Sequence, residues 1–161
     1  MQIKNSEELF VRLLSLANSA EQQMTKALPK LARAAENPEL VEMFEHHLEE
    51  TEGQLERIDQ VASTLDITLK RIKDQSMATL IGDGEEFIEA TEKGALRDAA
   101  LIGAAQRVEH YEIAGYGTLC ALAEELGYTE AKNILAETLA EEKSTDEKLS
   151  TAAETKINKQ A

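Results

Sequence analysis

The run Ala105–Gly127, AQRVEHYEIAGYGTLCALAEELG, constrains this chain more than any other stretch. Val108, Gly115, Leu119, Leu122 and Leu126 recur at helical spacing and form one apolar stripe. Glu112 falls inside that stripe, four residues after Val108 and seven before Leu119, and Glu109 lies one turn back, close to the same face. A carboxylate on the core face of a helix is costly unless it is protonated, paired or bound to a cation. The chain must therefore fold so that other helices bring something to Glu112.

Those helices are legible on either side. Asn5 with Glu8 three residues later reads as a capping box, and apolar positions from Leu9 to Leu31 predict a helix over 5–35, with Pro29 removing one backbone bond and Glu21 pointing inward. Asn37-Pro38 restarts the chain as cap and first helical residue. The second helix, 38–65, carries a row of Met43, His47, Glu50, Gln54, Ile58 and Val61, and its Gly53 suggests close approach of a neighbour. Leu65–Lys73 breaks the pattern. Asp74 or Ser76 then caps a shorter helix, interrupted at Gly82-Asp83-Gly84 and ended by Gly94. The fourth helix spans 95–126, with Gly127 as C-cap and Thr129 as N-cap of a last helix over 130–155. On that helix Leu135, Leu139, Glu142, Asp146 and Leu149 share a stripe, and the polar tail 155–161 is expected to fray.

A length of 161 residues fits one domain over 1–161, and only 2 prolines and 8 glycines favour an all-α class. Two helical hairpins joined by a long crossover carrying an additional short helix make a ferritin-like four-helix bundle. A faint repeat supports the pairing. A shift of 91 places Glu21 on Glu112, Leu48 on Leu139 and Ile58 on Leu149. One residue more matches Glu50 with Glu142 and Gln54 with Asp146, and that register is preferred near the site because Glu142 lies on the apolar stripe.

The net charge of −14 argues against nucleic acid and anionic membranes as partners. No apolar run reaches the ~20 residues a membrane span needs. The single Cys120 has no internal disulfide partner and no activating neighbour, and no signal peptide is visible, so the cytoplasm is the expected compartment.

Each long helix thus offers one inward or edge carboxylate: Glu21, Glu50, Glu112 and Glu142. A bundle holds two cations with single carboxylates from two helices and paired ligands from the other two. Here Glu21 and Glu112 are the single donors, and Glu50 with Gln54 and Glu142 with Asp146 the pairs. Glu109 and His47 stand within a turn as ligands or outer partners. Hard oxygen donors suit iron, manganese or magnesium. His46 faces solvent, His110 lies off the stripe, and Tyr111 and Tyr116 pack, Tyr116 within reach of a carboxylate. The competing interpretation is an ordinary solvated charge pattern, since glutamate is abundant.

With VEHYEIAGYGTL, SAEQQMTKALPKLARA, HLEETEGQLERIDQV, RDAALIGAAQ and EEKSTDEKL, the chain resembles the YciF-like family of bacterial stress-response proteins over nearly its whole length. That resemblance implies a ferritin-like bundle, a homodimer and a centre of two iron ions related to that of rubrerythrins. It implies Glu21, Glu50, Glu112 and Glu142 as the inward carboxylates. Ferritin-like centres usually carry a histidine one turn after the second and fourth glutamate. Gln54 and Asp146 stand there instead, or Gly53 and Thr145 at the three-residue spacing, which favours metal binding over oxygen activation. The expected function is a stress-response protein whose metal pair reacts with oxygen or peroxide, as an oxidase or peroxidase. The alternative is a non-enzymatic dimeric structural, interaction or metal-storage bundle whose inward carboxylates stay protonated or pair with Arg97, Arg107 or Lys143.

Overall fold

Capping residues divide the chain. In the computed structural model, which describes residues 2–161, the helices are α1 (Ser6–Ala34), α2 (Pro38–Thr64), α3 (Gln75–Ala90), α4 (Ala95–Glu125) and α5 (Thr129–Ala152). The Asn5 side chain accepts the Glu8 amide at 2.8 Å, and Asn37 accepts that of Glu39 at 2.9 Å. Asp74, not Ser76, caps α3 by accepting the Met77 amide. Gly127, at φ 71°, closes α4: its amide reaches the Glu124 carbonyl and that of Tyr128 reaches Ala123, a Schellman motif.

Several local expectations are corrected. α3 runs unbroken through Gly82–Gly84 and ends at Thr91, while Gly94 precedes α4. Nothing approaches the Cβ position of Gly53. Thr129 is the first residue of α5 and Tyr128 stands before it without a side-chain cap. The tail does not fray at 155: a π-helical turn, Ala153–Ile157, follows α5 and buries Ile157 in the core. On α4 the buried stripe runs through Val108, Glu109, Glu112, Tyr116, Leu119 and Ala123, whereas Gly115 is exposed and Leu122 half-buried. A glycine has no side chain to bury, and the tyrosine ring beside it takes the inward position.

Helices α1 and α2 pack as one hairpin and α4 and α5 as another; α2 meets α5, α1 meets α4, and α3 lies across α1 and α4. The crossover before α3 is tied to α1 by two serines a turn apart: Ser15 Oγ accepts the Lys70 amide and Ser19 Oγ that of Asp74, both at 2.9 Å. Asp98, in the first turn of α4, accepts the amides of Glu36 and Asn37 at 2.8 Å each, fixing the α1–α2 turn against the second hairpin. Losing two part-buried, charge-assisted bonds costs about 3 kcal/mol, so Asp98→Ala is expected to lower the melting temperature by about 6–12 °C in a thermal scan.

Two apolar clusters fill the interior. One contains Met24, Leu28, Phe44, Leu101, Val108 and Leu149, the other Leu14, Ile58, Tyr116, Leu119 and Leu135. Between them every long helix places buried polar side chains: Glu21 on α1; His47, Thr51 and Gln54 on α2; Glu109 and Glu112 on α4; Thr138, Glu142 and Thr145 on α5. Between α2 and α5 burial follows the shift of 91. His47 matches Thr138, Thr51 matches Glu142, Gln54 matches Thr145, and half-buried Glu50 matches half-buried Glu141. This corrects the register preferred from sequence, because one residue turns a helix by 100° and carries Glu50 from the core face to its edge.

Candidate metal centre

Four of the buried side chains converge. Ligand atoms of His47, Glu109, Glu112 and Glu142, from three helices, all lie within 4.8 Å of one another. His47 Nε2 is 3.2 Å from Glu109 Oε1 and 3.9 Å from Glu142 Oε2. Neither ring nitrogen makes a well-aligned hydrogen bond, and both oxygens of Glu112 and one each of Glu21, Glu109 and Glu142 have no hydrogen-bond partner. Buried polar atoms in native proteins are nearly always satisfied. A cluster of orphaned lone pairs facing one point is what a cation would satisfy.

Glu21 stands beside this cluster. One oxygen accepts the Tyr116 hydroxyl and the other is unpartnered. Gln54 donates its amide to Glu142 and, at 3.1 Å, to Glu141. Glu141 itself is held by both terminal nitrogens of Arg57 at 2.7 and 2.6 Å, so the arginine serves the neighbour and leaves Glu142 without a cation. Among the described residues, no lysine or arginine ion-pairs with Glu21, Glu109, Glu112 or Glu142. The cations suggested as structural partners are elsewhere: Arg107 reaches Asp83, Arg97 binds carbonyls at the end of α3, and Lys143 is exposed.

The electrostatics follow from that enclosure. Burial, then the charges of Glu21, Glu142 and Glu109, hold Glu112 well above the usual carboxylate range. Burial and a carboxyl contact with Glu109 do the same to Glu142. Burial lifts Glu21 to about 7 against the pull of the Tyr116 hydroxyl. Burial would lower His47, but the Glu109 carboxylate overrides it and the ring is held well above its ordinary value.

The remaining sequence candidates fall outside the cluster. Glu50 sits at its rim, 3.5 Å from His47 Nδ1 and within hydrogen-bond reach of the Thr145 hydroxyl at 3.2 Å. Asp146 turns to the α4–α5 edge, where Gln106 and His110 meet it at 3.2 and 3.3 Å. Thr51, which helical spacing puts on the stripe of Val41, Phe44, Leu48, Leu55 and Ile58, lines the polar layer with Thr138, which no sequence pattern marks except the 91-residue register that pairs it with His47. A cleft of about 270 Å³ between α1 and α4, walled by Leu13, Leu16, Ala17 and Leu119, reaches Glu21 and Glu112.

A family model described as a domain of unknown function, DUF892, matches residues 5–161. The chain is 56% identical to protein YciF of Escherichia coli strain K12 over 162 residues, covering all of this chain and 98% of that protein. The crystal structure of that E. coli stress protein superposes with a TM-score of 0.94, covering 98% of this chain and 100% of that one. YcfI of Rhodopseudomonas palustris, for which a structural role has been proposed, matches at a TM-score of 0.90 with 41% identity, over 93% and 96% of the two chains. An Anabaena variabilis protein with DJ-1/ThiJ/PfpI-like and ferritin-like domains matches over 98% of this chain and 39% of its own, at a TM-score of 0.63 and 16% identity. The all-helical fold is thus ferritin-like.

Proposed function

We propose that this chain, which belongs to the DUF892 family and is a homologue of the stress protein YciF, is a stress-response protein that holds two metal ions in its polar layer. The observation that carries the reading is the convergence of His47, Glu109, Glu112 and Glu142 with their lone pairs unpartnered and, among the described residues, no lysine or arginine ion-paired to them. One imidazole and several carboxylates suit iron first, manganese or magnesium second. His47, Glu109 and Glu142 would hold one ion, and Glu112 with the free oxygen of Glu21 would hold the other; the setting is a cytoplasmic homodimer.

Iron held there would supply one-electron chemistry toward oxygen or peroxide. The chain's own contribution is to exclude bulk water with an apolar cluster on either side and to fix Glu21 through Tyr116 and Glu142 through Gln54. The largely apolar α1–α4 cleft would admit a small neutral reactant to the Glu112 side. Purification without chelator is expected to give about two ions per chain by elemental analysis, and the iron form to consume oxygen or peroxide faster than free ferrous ion in the same buffer. Bound metal with no such consumption would favour a storage role, and less than one ion per chain would return the protein to a structural bundle.

A further inference from the structure

The buried cluster connects to solvent by a ladder of ligand-type side chains on α2. His46 Nε2 lies 3.2 Å from Glu50 Oε1 and its Nδ1 3.9 Å from Glu49 Oε2. The other Glu50 oxygen lies 3.5 Å from His47 Nδ1, whose opposite nitrogen is 3.2 Å from Glu109. Side-chain exposure falls from 55% at His46 to 15% at Glu50, 4% at His47 and 1% at Glu109. His47 Nδ1 is buried, unpartnered and aimed at Glu50.

We propose that His46 and Glu50 form a transit site that captures a divalent cation at the α2–α5 edge and passes it to His47. This rests on the metal reading of the centre. A cation leaving water needs a replacement ligand at each step, and consecutive donors about one ligand-to-ligand distance apart supply it. The α1–α4 cleft offers no such sequence: between its mainly apolar walls the carboxylate outside Glu21 and Glu112 is Asp74, which is buried and already accepts the Tyr111 hydroxyl and the Met77 amide. From α5 the site faces the Thr145 hydroxyl and the charge of Lys148. That charge and the small number of protein ligands make the station weak, which lets an ion move on. His110 with Asp146 offers the same pair of ligand types at 3.3 Å, but it is tied into Gln106 rather than facing an unpartnered buried donor.

Cobalt(II), followed by its visible absorption in stopped flow, tests the route on the metal-free full-length protein. His46→Ala is expected to slow loading about ten-fold while the final cobalt content by elemental analysis stays at the parent value, and His110→Ala to load at the parent rate. Parent-like loading of His46→Ala, or equal slowing of both variants, overturns the transit site while leaving the centre in place. A parent protein that takes up no cobalt overturns both.

Discussion

Glu112→Gln is expected to move stability in opposite directions with and without metal. In the metal-free protein at pH 8, Glu112 is a buried carboxyl whose charge burial and Glu21, Glu142 and Glu109 all oppose, and neither of its oxygens has a hydrogen-bond partner. Glutamine keeps the volume and is neutral without a proton, so the variant avoids the cost that the folded chain carries at Glu112, whether in burying the charge or in taking up a proton to cancel it. That relief stabilises by about 2 kcal/mol, or roughly 4–8 °C in melting temperature. In the loaded protein the same change removes a ligand of the second ion, and the metal content is expected to fall from about two ions per chain to about one. The stabilisation that metal lends through preferential binding to the folded chain falls with it. Melting scans of both proteins with metal and with chelator read the two signs together. A bundle whose acidic layer were only structural would show no metal term in either protein.

The inward glutamates could be read from sequence because a helix records its faces at fixed intervals: Glu21, Glu112 and Glu142 each interrupt an apolar stripe, and all are buried. What periodicity cannot record is which faces meet. His47 and Glu109 approach to 3.2 Å because α2 and α4 face one another across the polar layer, and nothing local to either helix specifies that. Single-residue precision also failed. Apolar spacing puts Asp146 on the core stripe, whereas Thr145 is the buried neighbour, since 100° of helical rotation separates core from rim and both residues lie within a turn of Glu142. Asp98 was silent for a different reason: it caps a turn 61 and 62 residues away, a relation that exists only after the hairpins dock. Ile157 lay in a polar tail, and its burial depends on the π-helical turn that carries it onto the core.

Stripped of metal, the protein is expected to become less stable as pH rises from about 5 to about 8. The folded state holds Glu21 at about 7, and Glu112 and Glu142 well above the ordinary carboxylate range. In the unfolded chain all three release their protons near pH 4.5. Between those values the folded protein binds more protons than the unfolded one, so stability falls as pH climbs. His47 acts with the same sign: its folded value lies above its ordinary one, so its contribution is complete below about 6.5 and is lost as pH rises through the raised value. Burial pushes Glu50 up, but its contacts with His47 and His46 and the charge of Lys148 together outweigh that and shift it down. It works the other way, but it is only partly buried and titrates at the acid end of the range. Glu21 alone accounts for a loss on the order of 3 kcal/mol, so a drop of at least about 6 °C is expected in metal-free melting temperature across this interval. Metal reverses the slope, because ions bind deprotonated carboxylates and neutral imidazole and displace the protons the folded state would otherwise keep. The loaded and metal-free melting curves should therefore diverge with rising pH. Parallel curves would mean that the acidic layer is open to water and holds neither its protons nor an ion.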